Sequence, residues 1–101
     1  RLLKAVEVMQ GQLEQALSCA EVASLANMST RQMERLFKQY LQQTPGQFYL
    51  HLRLQKAQHL LHQSNLSITQ ISDACGFNSV SYFARCYGQQ YARTPSAERK
   101  K

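Results

Sequence analysis

The chain has 101 residues with 12 Lys and Arg against six Asp and Glu, which gives a formal net charge of +6 and a pI of about 9.6. A chain this short buries only a modest core, which argues against a large enzymatic cleft, and its positive charge favours a polyanion as partner. No apolar run approaches the ~20 residues of a membrane span, and we expect no signal peptide and a fragment of a longer protein.

The first part of the chain predicts a helix, a short helix, a tight turn and a longer helix. Apolar residues at helical spacing predict the first helix over about residues 2–17, with Gly11 as its weak point. Two pairs with capping-box spacing start the next two helices: Ser18 with Glu21, and Ser29 with Gln32. We expect the second helix to end at Ala26 and the turn to lie at Asn27 and Met28. The expected apolar stripe of the third helix is Met33, Leu36, Phe37, Tyr40 and Leu41.

The rest of the chain predicts three more helices by the same signals. Thr44, Pro45 and Gln47 start a long fourth helix that runs to about Gln63, with an apolar face of Leu50, Leu54, Ala57 and Leu61. Ser67 with Gln70 opens a fifth helix, and Gly76 ends it. Asn78 or Ser79 caps the sixth, whose expected buried side is Phe83, Cys86, Tyr87 and Tyr91. Nothing alternates with period two, so we predict no sheet. Arg99, Lys100 and Lys101 are expected to form a frayed tail.

A pattern of about fifty residues is written twice in the chain. Residues 35–45 superpose on residues 85–95, which pairs Arg35 with Arg85 and Pro45 with Pro95. Upstream, Val22 of the first copy corresponds to Ile71 of the second, and the second copy has one extra residue within residues 76–78. A repeat of this length predicts two similar small helical units side by side, which suits a periodic ligand such as duplex DNA.

The predicted third helix has a basic polar stripe opposite its apolar face. Arg31, Arg35, Lys38 and Gln42 recur at spacings of four, three and four, and Arg and Gln can pair with the edges of guanine and adenine. Since the stripe follows a helix-turn segment in a basic chain, we expect base contact from it. Glu34 has two interpretations, an exposed ion pair with Lys38 or an acceptor for a cytosine amine.

The sixth helix offers fewer base readers at the corresponding positions. Ser81, Arg85, Gly88 and Ala92 stand where the third helix has Arg31, Arg35, Lys38 and Gln42, so only Arg85 is a strong base reader. Val80 suits a thymine methyl, and Tyr82 a phosphate or a base edge. Helix starts suit phosphate oxygens, and the residues expected there are Ser29, Thr30, Thr44, Ser79, Tyr82 and Thr94. We therefore expect one asymmetric DNA site per chain, with most direct base readout on the third helix.

Several segments together make the chain resemble the DNA-binding domain of the AraC/XylS family of bacterial transcription regulators. They are the run 71–77 followed by 79–85, Arg53 and Leu54 with Ala57, Leu60 and Leu61, and Thr94 with Pro95. The run 29–37 looks most like a branch whose sensing domain resembles a class I glutamine amidotransferase. Where the family usually has Gly, this chain has Gln42 and Ala92, so a left-handed turn is less easily made there.

The resemblance implies an all-α fold of about seven helices, the last beginning near Pro95, with two helix-turn-helix subdomains (1–43 and 64–101) joined by a linking helix (44–63). Recognition helices at about 30–41 and 80–91 would enter successive major grooves of double-stranded DNA. By position, the base-reading sites are Arg31, Glu34, Arg35, Val80, Ser81 and Arg85. The implied regulator is a cytoplasmic activator that contacts RNA polymerase in its full length, while this fragment is a monomer without a cofactor.

Other classes of function find less support in the residues. A zinc site could draw on Cys19, Cys75, Cys86, His51, His59 and His62, but no Cys pair has ligand spacing. No Cys or Ser has a plausible base and orienting acid, so we predict that the chain is not an enzyme. A helical protein-interaction module, or the DNA-binding part of a repair protein with the same fold, stays open. The salt dependence of duplex binding would separate these classes.

Overall fold

A computed structural model describes residues 1–100, and over this range the chain is all helical, with no strand. The helices are α1 (Leu2–Gly11), α2 (Cys19–Leu25), α3 (Thr30–Leu41), α4 (Pro45–Gln63), α5 (Ile68–Ala74), α6 (Val80–Tyr91) and α7 (Pro95–Lys100). The all-α class and the seven helices are thus confirmed. Within the same residues, no helix combines the length and apolar character needed to cross a bilayer.

The chain folds as two compact units. The first comprises Arg1–Leu52 and the second begins at Arg53, so the division falls inside α4. Each unit therefore contains one short helix and one longer helix in sequence, α2 with α3 and α5 with α6, together with its own half of α4 and its own terminal helix. The three-part division into 1–43, 44–63 and 64–101 stays a prediction.

Capping boxes fix the starts of four helices. The hydroxyl oxygens of Ser18, Ser29, Thr44 and Ser67 each accept from the backbone N–H three residues later, at 3.1 Å in every case. The side chains of Glu21, Gln32, Gln47 and Gln70 accept in return from the backbone N–H of the capping residue. Satisfying two N–H groups in this reciprocal way stabilises each start, as the spacing predicted.

The first helix is shorter than predicted. It ends at Gly11, and Gln12 has φ −133° and ψ 56°, outside helical values. Glycine weakens the helix at this point, and the hydroxyl of Tyr49 in α4 satisfies backbone groups beyond it. That hydroxyl accepts from Leu17 N–H at 3.0 Å and donates to the carbonyl of Gln12. The expectation of a helix to residue 17 was wrong because a distant side chain supplies the partners that further helical turns would have supplied.

The core of the first unit joins α1, α2, α3 and the start of α4. Its fully buried members include Ala5, Met9, Val22, Met33 and Phe37. Phe37 packs edge-on against Phe48, with ring centroids 5.5 Å apart. The predicted stripe of α3 needs one correction, since Tyr40 is 60% exposed and lines an open pocket with Leu2 and Leu36.

The second unit is held by a row of aromatic rings and by α7. Neighbouring centroids in the row lie 5.1, 5.9 and 4.7 Å apart, in the order Phe77, Phe83, Tyr87 and Tyr91. Phe83, Cys86 and Tyr87 are buried as predicted, whereas Tyr91 is only half-buried.

The predicted frayed tail is wrong for Arg99. This side chain donates to the carbonyls of Leu61 and Ser64, both at 3.3 Å, and to that of Leu66. The guanidinium thereby ties α7 to the end of α4 and to the loop after it. Lys100 closes α7, and Lys101 lies outside the described residues.

Two helix ends adopt the left-handed conformation without glycine. Gln42, after α3, has φ 57° and Ala92, after α6, has φ 59°. Their backbone N–H groups bond to the carbonyls of Lys38 at 3.2 Å and Gly88 at 2.9 Å. The strain of a non-glycine residue there is on the order of 1–2 kcal/mol. A buried proline, Pro45 or Pro95, follows three residues later in each unit. The turns that the sequence makes less easy are therefore formed in both units.

Candidate nucleic-acid interface

The two turns that lead into the longer helices are built alike. In the first unit, Asn27 has φ 59° and the N–H of Met28 bonds to the carbonyl of Ala23 at 3.0 Å. In the second, Gly76 has φ 82° and the N–H of Phe77 bonds to the carbonyl of Ser72 at 3.0 Å. These pairs differ by 49 positions, whereas the helix caps Ser29 and Ser79 differ by 50. The extra residue of the second copy is therefore Asn78, between the turn and the cap.

Each turn places one face of the following helix in the core and leaves the other face exposed. In α3 the buried side chains are Met33 and Phe37, and in α6 they are Phe83, Cys86 and Tyr87. Every base-contact candidate is on the exposed faces: Arg31, Glu34, Arg35, Lys38, Val80, Ser81 and Arg85. Each unit therefore brings its candidates together on a single helix, away from its core.

The exposed face of α3 is rich in cationic groups. Arg31, Arg35 and Lys38 follow one another at one-turn spacing. Gln42, predicted to continue this row, lies beyond the end of α3 in the left-handed conformation, and its side-chain amide donates to the carbonyl of Gln39 at 3.2 Å. Glu34 is exposed among them, and no salt bridge joins it to Lys38 in the described part of the chain. Arginine, lysine and carboxylate groups at these positions can address guanine edges and a cytosine amine in a major groove.

The α6 face combines one arginine with an aromatic side chain. The guanidinium carbon of Arg85 lies 5.5 Å from the ring centroid of Tyr82, which is 45% exposed. A hydrogen bond with Cys86 is the main reason that the pKa of the Tyr82 hydroxyl is raised. Val80 is 37% exposed, so its methyl groups are available for apolar contact.

The predicted phosphate contacts lie at helix starts and are exposed, and most of them act as caps. The hydroxyl oxygens of Ser79 and Thr94 accept from Tyr82 N–H at 3.2 Å and Ala97 N–H at 3.0 Å, as those of Ser29 and Thr44 do in their boxes. Thr30 is the first residue of α3. Because a hydroxyl has one donor besides its acceptor lone pairs, a capping hydroxyl can still donate to a phosphate oxygen.

Two cations of α4 hold the second helix-turn-helix in place. Arg53 donates through Nε to the carbonyl of Cys75 at 2.9 Å and through Nη2 to that of Gly76 at 2.7 Å. Lys56 donates to the carbonyl of Ala74 at 2.8 Å. Three successive carbonyls at the end of α5 thus face positive charge, which also suits the negative end of the helix dipole.

The chain matches a known family over most of its length. Residues 22–101 match the model of a family described as a helix-turn-helix domain. A solved transcriptional regulator from Chromobacterium violaceum, described as having an AraC-type DNA-binding domain, is 44% identical with a TM-score of 0.95. This similarity covers 98% of the present chain and 88% of that one. The chain belongs to the AraC family of helix-turn-helix transcriptional regulators.

Other members of the AraC family show how much of a regulator such a chain spans. The transcriptional regulator CdhR of Pseudomonas aeruginosa is 44% identical over 99 residues, which are 98% of this chain and 30% of CdhR. The chain therefore spans about a third of the length of the curated relatives that it matches. The DNA-binding domain of AdpA, solved in complex with a target DNA, is 27% identical with a TM-score of 0.92 over 98% of this chain and 89% of that one.

Sequence reasoning missed the residues that orient the helices of this AraC-type domain. The sequence indicated Arg53 only as part of a family run, and Glu98 not at all. Glu98 is 3% exposed, and its carboxylate accepts from the Tyr87 hydroxyl at 2.9 Å and lies 2.9 Å from His62 Nε2. The one signal in the sequence that could have pointed to Arg53 as an orienting residue was its place beside Leu54 of the apolar stripe of α4. The possible zinc ligands do not assemble, since no group of three His, Cys, Asp or Glu within residues 1–100 could hold a metal ion.

Proposed function

We propose that this AraC-type domain binds double-stranded DNA sequence-specifically, with α3 and α6 as recognition helices in successive major grooves. The observation that carries the proposal is that both helix-turn-helix units bury one face of the longer helix and present the base-contact candidates on the other. The likeness to the AdpA domain, which was solved with its target DNA, supports this use of the fold. A long exposed helix after a tight turn is the geometry that enters a major groove.

The two helices would read different bases. On α3, Arg31, Arg35 and Lys38 would donate to guanine edges and Glu34 would accept from a cytosine amine. On α6, Arg85 would read a guanine and Val80 would touch a thymine methyl. The hydroxyl of Ser81 would form a hydrogen bond with a base edge, as donor or as acceptor. Most of the direct readout would then lie in the first unit, and the target would be asymmetric.

Phosphate contacts would complement this readout in both units. The hydroxyls at the helix starts, those of Ser29, Thr30, Thr44, Ser79 and Thr94, would donate to phosphate oxygens beside free backbone N–H groups. The charge is unevenly divided, since from Arg53 onward the chain has seven of its 12 Lys and Arg and only two of its six Asp and Glu. The second unit would therefore contribute more of the sequence-independent attraction.

The role of the full-length protein is a further part of the proposal. A domain that places a regulator at its target fits a transcription activator that contacts RNA polymerase in the cytoplasm, and no enzymatic step is assigned to this domain. A sensing domain, in one branch resembling a glutamine amidotransferase, would occupy the part of the regulator beyond this chain. On its own, this domain would bind its site as a monomer.

Selection of bound sequences from a random duplex pool, followed by titration of the selected duplex, tests the proposal. We expect two half-sites about one helical turn apart and an affinity that falls steeply with salt, because phosphate contacts release counterions. Arg35→Ala should cost about 1–3 kcal/mol of binding free energy and relax the preference at particular base pairs. Lys4→Ala, an exposed substitution on α1, should leave binding nearly unchanged. Absence of duplex binding even at low salt would reject DNA binding and favour a protein-interaction module.

A further inference from the structure

Tyr82 occupies a position that Glu or Gln occupies in the other capped helices before it. The third residue of a helix closes a capping box in α2, α3, α4 and α5, where it is Glu21, Gln32, Gln47 and Gln70. In α6 this residue is Tyr82, whose N–H bonds to Ser79 Oγ but whose side chain returns no hydrogen bond to the cap. The second recognition helix thus lacks one capping interaction and has an aromatic ring at its exposed start.

The ring of Tyr82 is a neighbour of both a fixed aromatic ring and the predicted base reader of α6. The Phe77 ring, 3% exposed, has its centroid 6.0 Å away, and the guanidinium carbon of Arg53 lies 4.3 Å from the Phe77 centroid. Arg53 is itself fixed by hydrogen bonds to the carbonyls of Cys75 and Gly76. The Arg85 guanidinium lies 5.5 Å from the Tyr82 centroid, within the range of a cation–π interaction.

The neighbours of the Tyr82 ring define the surface that it offers to Arg85. The Phe77 centroid lies 6.0 Å from the Tyr82 centroid, and Cys86, one turn further along α6 and 5% exposed, is the main cause of the raised pKa of the Tyr82 hydroxyl. The ring is therefore supported before any ligand binds. An arginine supported in this way loses less rotamer entropy when it forms its bonds.

The first recognition helix has no such arrangement. Fifty positions earlier, Arg35 corresponds to Arg85 and Gln32 corresponds to Tyr82. Gln32 Oε1 accepts from Ser29 N–H at 3.2 Å, so its side chain is directed to the cap. The aromatic support is therefore specific to the unit that has a single arginine for base readout.

We propose that Tyr82 is a positioning residue for Arg85, whose guanidinium its ring holds ready to read one base pair, and that it is not a phosphate contact. This rests on the proposed function, because it assigns a specificity-determining role within the same DNA-binding helix. It replaces the expectation that the Tyr82 hydroxyl bonds to the DNA backbone. The ring alone is sufficient for the role.

Four variants test this on the full chain: Tyr82→Phe, Tyr82→Leu, Arg85→Ala and the double variant of the last two. The probes are the selected duplex, its single-base-pair substitutions and an unrelated duplex of equal length. The base pair whose preference Arg85→Ala removes is the one that Arg85 reads. At this pair, Tyr82→Leu should reduce discrimination about two- to fivefold, which is the range of an exposed cation–π interaction. Tyr82→Phe should stay within about twofold of the parent, and the two single Tyr82 variants should bind the unrelated duplex like the parent, because neither changes the charge of the chain.

The double variant distinguishes a coupled pair from two separate effects. In the Arg85→Ala background, adding Tyr82→Leu should change binding by less than about twofold, because the guanidinium that the ring supports is already absent. Full multiplication of the two single losses would overturn the proposal, and so would an equal loss on every duplex for Tyr82→Phe, the result expected of a phosphate contact. An Arg85→Ala variant with unchanged base preference overturns it too. If the parent chain binds no duplex at all, the proposed function itself has failed. Equal unfolding midpoints show that the variants are folded.

Discussion

Replacing Arg53 by Met should loosen the second helix-turn-helix and leave the first intact. Arg53 donates to the carbonyls of Cys75 and Gly76, and its guanidinium stacks on the ring of Phe77. These contacts connect α4 to the turn that sets the entry of α6. Methionine keeps the apolar stem of the side chain and removes both donors and the charge.

The expected loss follows from the contacts that are removed. A hydrogen bond to a charged group contributes about 1.5–3 kcal/mol, and a cation–π contact about 0.5–1 kcal/mol at an exposed site. Arg53 is half-buried and water can replace part of what is lost, so we expect Arg53→Met to cost about 2–4 kcal/mol. Arg53→Lys keeps the charge but lacks the planar fork that reaches two carbonyls, and it should lose about half as much.

Native-state hydrogen exchange measures this loss separately in each unit. In Arg53→Met, the free energy of opening of the α5 and α6 amides should fall by the full loss of about 2–4 kcal/mol. The amides of α2 and α3 should keep the parental protection. Arg31→Met makes the same chemical change at an exposed site, and it should change folding stability by less than about 0.5 kcal/mol. An Arg53→Lys variant that keeps the parental protection would refute the role of the two-carbonyl fork. Unchanged protection in both variants would refute the contact as a source of stability.

Two further predictions concern α7 and the end of α6. Burial raises the pKa of the Glu98 carboxyl, but hydrogen bonds from Tyr87, His62 and Gln58 and the charge of Arg93 outweigh it and hold the pKa below its ordinary 4.5. A carboxyl whose pKa is lowered in the folded state contributes stability that is present above pH 4.5 and is lost as the pH falls through the folded-state pKa. Glu98→Gln should therefore lower the free energy of unfolding by about 1–3 kcal/mol at pH 7 and by progressively less below pH 4.5, as urea unfolding measures it. A loss of unfolding free energy in Glu98→Gln that stays constant with pH would contradict this prediction. Ala92→Gly should stabilise the chain by up to about 1 kcal/mol by relieving the left-handed strain, whereas the same change at Ala84, inside α6, should destabilise it by about 1 kcal/mol. Thermal unfolding of the pair checks this, and the same sign for both substitutions would contradict it.

Most helix boundaries were predictable because their signals are local. A capping box needs a hydroxyl and a Glu or Gln three residues apart, and the starts at Ser18, Ser29 and Ser67 followed from that spacing. The end of α1 was not predictable, since the Tyr49 hydroxyl that satisfies the backbone beyond Gly11 comes from 32 to 37 residues away along the chain. Distant partners of this kind leave no periodic trace in the sequence.

The residues of the candidate site and the helix faces that present them were predictable, whereas their contacts with other elements were not. The spacing of Arg31, Arg35 and Lys38 placed them on one face of α3, because helical geometry decides which side chains are neighbours. The same geometry placed Arg85 on the exposed face of α6. It could not show that Tyr82 contacts Arg85, or that Phe77 and Arg53 support that pair, because these contacts join a helix, a turn and a second helix.

The sequence by itself determined six of the seven helices, the order of the two similar units and the faces on which the basic residues lie, since propensity, capping and periodicity act within a few residues. The seventh helix was implied only by the resemblance to the AraC/XylS family. Tertiary structure decided where α1 ends and that Arg99 is bound instead of frayed. These features depend on groups brought together from distant parts of the chain, and their free energies appear only when the core has formed. The tertiary contacts of Arg53 and Tyr82 distinguish the second recognition helix from the first.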